Sequence, residues 1–197
     1  MKKILLTNEV MVSDPCYSVP TWCQHKLTDV LPGYYQPFCK LTDAGDWGTR
    51  NSMLLVIHED YQFEDNLEWE LVEGANIGVD SGQAGIFSMR TYRNDDHSVL
   101  QDRPAPSGVP GCSWDYGYFK DEEGDKFYDL MCGITLNNEL GWGVYDEGVV
   151  TRSGFGDGSY NLYVSRNEDG QVIAMCIDFL VEEDEVIDFE FYKDMAY

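Results

Sequence analysis

The chain has 197 residues, is 43% hydrophobic and 14% aromatic, and carries a formal charge of −23. That composition excludes a disordered chain, and the lack of any run of about 18 apolar residues excludes a membrane-spanning helix. So much negative charge repels phosphate backbones, which argues against direct nucleic-acid binding and for a basic protein partner or divalent cations.

The length suits one domain over residues 1–197. Folding at this size buries roughly 70% of the unfolded chain's surface, so neither disulfide nor structural metal is needed. The opening MKKILLTNEV has only Ile4, Leu5 and Leu6 before polar Thr7. A secretory signal needs an apolar stretch of roughly 7–15 residues, so the expected compartment is the cytoplasm. The charge is uneven. Residues 1–57 sum to zero, leaving 8 of the 13 basic and 31 of the 36 acidic residues in 58–197. Solubility alone is the plainer account of that charge, and steering of a basic partner the sharper one.

In chain order, the first informative stretch is SDPCYSVPTWC (13–23), where Pro15 pins Cys16 in a turn. Overlapping it, residues 18–31 could place Trp22, Leu27, Val30 and Leu31 on one stripe of a helix. YYQPFCKL (34–41) reads as a strand, with Pro37 marking an edge or a bulge. MLLVIH (53–58) is an apolar run of strand length, and ANIGVD (75–80) is a short strand. DRPAPSGVPGC (102–112) reads as a mobile loop, followed by the ring-rich SWDYGYF (113–119). KFYDLMCGITL (126–136) places Phe127, Leu130, Met131 and Ile134 on one helical face. YNLYVSR (160–166) and QVIAMCIDFL (171–180) flank NEDG (167–170), the clearest hairpin in the chain. VIDFEFY (186–192) alternates as a half-buried strand with an acidic outer face. The expected fold is mainly β (α+β): an antiparallel sheet or sandwich with one or two short helices.

Three loops surround aspartates with small residues: DAGDWG (43–48), GVDSGQAG (78–85) and SGFGDGSY (153–160). Glycine there permits tight bends, anion nests or cation loops, and plain turn structure is the simplest reading. If the loops line a pocket, Asp80, Ser81, Gln83, Ser153, Asp157 and Tyr160 are the ligand-binding candidates. A Mg²⁺ or Ca²⁺ site needs several converging oxygens. Asp14, Asp80 and Asp157, with Asp43 and Asp46 behind them, could supply these. No cofactor is required by the sequence. No phosphate loop, dinucleotide fingerprint or nucleophile elbow occurs. Chance carboxylate pairs among 36 acidic residues carry no glycosidase signal.

The cysteines are Cys16, Cys23, Cys39, Cys112, Cys132 and Cys176. Irregular spacing points to reduced, buried thiols. Two sharper readings stand beside it: zinc on Cys16, Cys23 and His25, and a catalytic Cys16 with His25 or His58 as base. Most of the tryptophans and tyrosines belong to packing, while exposed rings near Trp114 would make an interaction hot spot.

Taken together, SDPCYSVPTWC, DAGDWGTR, IGVDSGQAGIF and SGFGDGSYNLYV with IDF resemble domain of unknown function family 4241, found in phage and bacterial genomes. In that family GIF is often followed by an aspartate, whereas here Phe87 is followed by Ser88. The resemblance implies a phage or prophage setting and transfers no site residue. The leading expectation is an acidic accessory protein that binds a basic host protein, in an inhibitory or anti-defence role. The alternative is a divalent-metal-dependent or small-metabolite-binding enzyme using the Asp/Gly loops. Oligomeric state is not readable from the sequence.

Overall fold

A computed structural model describes residues 2–62, 67–94, 126–137 and 139–180. The proline-rich loop 102–112, the ring-rich segment 113–119, the strand expected at 186–192, Cys112 and His97 lie outside the described residues. The chain forms β1 (Ile4–Leu6), β2 (Val10–Ser13), β3 (His25–Leu27), β4 (Gly33–Asp43) and a 3-10 turn (Gly45–Trp47). There follow β5 (Thr49–His58), β6 (Trp69–Leu71), β7 (Ile77–Val79), β8 (Gln83–Ser88) and α1 (Lys126–Leu136). The described order closes with β9 (Trp142–Tyr145), β10 (Gly148–Arg152), β11 (Gly158–Arg166) and β12 (Val172–Asp178).

The strands form two antiparallel sheets. The larger runs β1-β4-β5-β12-β11-β6, with β7 also paired to β11, and the smaller runs β3-β2-β8-β10-β9. Period-two alternation decides what each strand buries. From the smaller sheet, Val10, Val12, Ala84, Ile86, Val144 and Val149 meet Leu54, Val56, Leu162, Val164, Met175 and Ile177 of the larger in one core. The intervening Met11, Phe87, Tyr145 and Val150 face the opposite way. They pack under Phe127, Leu130, Met131 and Ile134 of α1. The smaller sheet is therefore covered on both faces, by the larger sheet and by the helix. The expected mainly β fold, with one or two short helices, is what the chain adopts, with one α-helix among the described residues. No described helix is long and apolar enough to cross a membrane.

The NEDG hairpin forms as its residues dictate. Asn167 Oδ1 accepts the N–H groups of Asp169 and Gln171 at 3.1 and 2.9 Å, and Gly170 takes φ +77°. Pro37 behaves as its chemistry requires. Among the described residues β1 pairs with Gly33, Tyr34 and Tyr35 and no strand lies beside the rest of β4 on that side, while its register with β5 shifts between Lys40 and Leu41. The helix expected over 18–31 is absent. Residues 25–27 instead pair with Val10, Met11 and Val12, Val30 bridges Val172, and Trp22 stands 84% exposed. Strand pairing at the sheet end buries Leu27 and Val30 better than an isolated helical stripe could, so tertiary context overrides the local pattern.

Candidate functional site

Asp14, at the end of β2, is fully buried. Its Oδ2 accepts the N–H groups of Asp80 and Ser81 at 2.8 and 2.7 Å. Its Oδ1 accepts the Ser81 hydroxyl at 2.7 Å and the Cys16 N–H at 2.8 Å. Charge-assisted bonds from three backbone amides and a hydroxyl offset the desolvation of the carboxylate. They also weld the loop after β2 to the β7–β8 turn. That turn is tied onward, since the Ser153 N–H donates to Gly82 O at 3.0 Å and the Gly154 N–H to Asn51 O at 3.0 Å. Within the next loop, Ser153 Oγ and Tyr160 Oη both donate to Gly156 O, at 2.8 and 2.6 Å. Gly154 has φ +51° and lies so close to Phe179 that an added Cβ would sit 3.0 Å from its backbone oxygen. The glycine loops of the sequence are thus gathered at one end of the sandwich and pinned from beneath by Asp14.

Above this platform stand two rings. Trp47 closes a turn that buries none of its residues, and Phe155 tips the 153–157 loop. They are 68% and 59% exposed, and they touch edge to face with centroids 6.1 Å apart. The Arg50 guanidinium lies 6.0 Å from the Phe155 centroid, with its Nε buried and without a hydrogen-bond partner. Asp43 and Asp46, beside Trp47 in sequence, and Asp157, two residues from Phe155, are exposed.

The sequence candidates divide by role. Asp14, Ser81, Ser153 and Tyr160 hold the loops. Gln83 is only 3% exposed, and its carboxamide accepts from Thr135 Oγ1 at 2.7 Å and donates to Cys132 Sγ at 3.4 Å, tying α1 to β8. Asp80 is exposed and hydrogen-bonded by the Tyr17 hydroxyl. Asp157 lies one step beyond the Gly158–Val79 pair, so its backbone approaches that of Asp80. The metal set Asp14, Asp80 and Asp157 is not assembled. Asp14 is committed to four protein donors, and among the described residues no three His, Cys, Asp or Glu side chains are grouped to hold a metal ion. That count also removes the zinc set of Cys16, Cys23 and His25.

The electrostatics around Cys16 oppose a thiolate there. Burial, reinforced by the hydrogen bond and charge of Asp14, pushes the Cys16 thiol up to about 12. The charged groups acting on it are Asp14, Asp80 and Arg93, with no histidine among them. Burial raises Tyr17, which Asp80 and Cys23 reinforce, and it lifts Tyr128 to about 12 with help from Cys132. Burial also holds His25 below its ordinary value against the pull of Asp29. Cys16, Tyr17 and Tyr128 are accordingly protonated at neutral pH. Cys16, Cys23, Cys39 and Cys132 are free thiols.

Fold and site together define an antiparallel β-sandwich whose glycine loops are locked by a buried aspartate and which presents an aromatic pair to solvent. Residues 5–177 match the family described as Protein of unknown function (DUF4241), and the chain belongs to that family. No curated protein and no solved structure matches it.

Proposed function

We propose that this is a small acidic accessory protein of phage type that acts in the host cytoplasm by binding a basic host protein, in an inhibitory or anti-defence role. The observation that carries the reading is the display of unbalanced negative charge. Among the described residues, Asp29, Asp43, Asp46, Glu59, Asp60, Glu68, Glu70, Glu73, Asp80, Glu139, Asp157, Glu168 and Asp169 are exposed. The cations are too few to answer them, and several are already engaged: Lys2 on Asp146, Lys3 on Glu59, Lys26 on Glu9, Arg90 on Glu147, Arg166 on Asp29 and Glu70. A surface of one sign accelerates encounter with a partner of the other sign and makes binding salt-dependent.

Capture from host lysate tests this at about 50 and about 500 mM salt, since one Debye length shrinks severalfold over that range. The expected result is a defined basic protein, identified by mass spectrometry, retained at low salt and released at high salt. A failure to retain any specific protein at low salt would overturn the reading.

A further inference from the structure

We propose that Trp47 and Phe155, on loops that also carry exposed Asp43, Asp46 and Asp157, form the docking point for an arginine- or lysine-bearing segment of a basic partner protein. This rests on the reading above and locates it. Single exposed apolar residues are ordinary on a protein surface. Here two large rings from different loops touch each other, at 6.1 Å between centroids, while 68% of Trp47 and 59% of Phe155 face solvent. Exposed aromatic rings held in place are what interfaces use as anchors, because a rigid ring loses little entropy on binding.

The loops beneath are fixed. The turn before Trp47 is closed by Gly45 N–H on Asp43 Oδ1 at 3.0 Å and by Ala44 N–H on Gly48 O at 3.0 Å. The Phe155 loop is closed by Ser153 and Tyr160 on Gly156 O. The chemistry of the occupant follows from charge. Asp43 and Asp46 flank Trp47, Asp157 sits two residues from Phe155, and all three carboxylates are exposed. They repel an acidic segment and attract a cationic one. Arg50 shows that a guanidinium approaches Phe155, at 6.0 Å from the ring centroid. The open indole of Trp47 is the better face for an incoming cation.

The probe is the peptide acetyl-(Gly-Arg)4-amide, titrated by calorimetry, with acetyl-(Gly-Glu)4-amide as control. The arginine peptide should bind and the glutamate peptide should not. Trp47→Ala should weaken binding about tenfold, Trp47→Phe should restore most of it, and the triple variant D43N/D46N/D157N should flatten its salt dependence. These positions are exposed, so unchanged urea midpoints will show that the variants fold. Arginine-peptide binding indifferent to Trp47→Ala overturns the docking point and leaves the acidic-surface reading standing. Binding of the glutamate peptide overturns it as well. So does a dimer, seen by sedimentation, that Trp47→Ala dissociates, because the pair would then serve a second copy of the chain. If neither peptide binds while lysate capture succeeds, the docking point fails alone. If capture fails too, both proposals fail.

Discussion

Asp14 is fully buried, so protein donors, among them three backbone amides and the Ser81 hydroxyl, solvate its carboxylate. Asp14→Ala would leave the amides of Cys16, Asp80 and Ser81 and the Ser81 hydroxyl facing a void. Each buried donor left unsatisfied costs about 1–3 kcal/mol, and urea unfolding should show a loss of at least that size. Asp14→Asn keeps one oxygen but turns an NH₂ toward the remaining donors, so it should destabilise nearly as much. A second prediction concerns pH. The Cys16 thiol rises from 9.0 to about 12 in the fold, and Tyr92 and Tyr128 rise from 10.0 to about 12. The fold prefers the protonated forms. Stability from these groups is therefore complete below pH 9.0 and is lost as the pH climbs toward 12, where the unfolded chain ionises first. Urea midpoints between pH 7 and pH 11 should fall only above pH 9, and Cys16→Ser should make the early part of that fall shallower. At this scale the structure shows hydrogen bonding within the sequence candidates themselves. Asp14 and Ser81 stand among those candidates, yet they solvate one another. The turn at Asp14-Pro15-Cys16, an aspartate accepting the N–H two residues on, was the available signal. Trp47 and Phe155 were overlooked because glycine and aspartate drew the reading, although a large ring among glycines has little beside it in sequence to pack against.

The elements that were legible are those with one unambiguous environment. β5, β11 and β12 carry long apolar or alternating runs, and α1 spans Lys126–Leu136 as its spacing of Phe127, Leu130, Met131 and Ile134 demands. The smaller sheet was not legible, although the glycine loops abut it. Its strands are only 3–6 residues long. Both of its faces are apolar, one for the larger sheet and one for α1, so no polar alternation announces them. Gly85 shows how tight this layer is, since an added Cβ would lie 2.5 Å from Val149 O and 2.2 Å from the Phe87 ring. That contact is with the paired backbone, so Gly85→Ala should disrupt the β8–β10 pairing rather than be accommodated. The helix depends on the same layer. Phe127 is fully buried against Phe87, Tyr92 and Tyr145, with ring centroids at 5.5, 5.3 and 6.2 Å. Phe127→Ala should cost about 3–5 kcal/mol. Near-ultraviolet circular dichroism should lose the signal of this aromatic cluster, while the strand signal in the far ultraviolet persists.

For the molecule as a whole, salt acts in two opposing directions. The surface ion pairs, such as Lys2–Asp146 and the Arg166 contacts to Asp29 and Glu70, are weakened by screening. Exposed pairs contribute only about 0–1 kcal/mol each. Against them stands the self-repulsion of a chain at −23, which screening relieves. The excess of carboxylates over cations is large and the pairs are few, so relief should dominate. The urea midpoint should therefore rise between about 20 and about 300 mM NaCl, where the Debye length drops below about 10 Å. A fall would mean that the ion pairs, and not the repulsion, govern the surface. The same measurement separates diffuse screening from a divalent site. MgCl₂ or CaCl₂ at matched ionic strength should stabilise no more than their charge density requires, because no three described ligands are assembled for an ion. A larger rise, abolished by Asp80→Ala or Asp157→Ala, would instead identify a cation bound at the glycine loops, since specific binding to the native state adds stability by mass action. The two outcomes differ in which residues matter. Screening is indifferent to any one carboxylate among so many, whereas coordination is lost with the first ligand removed.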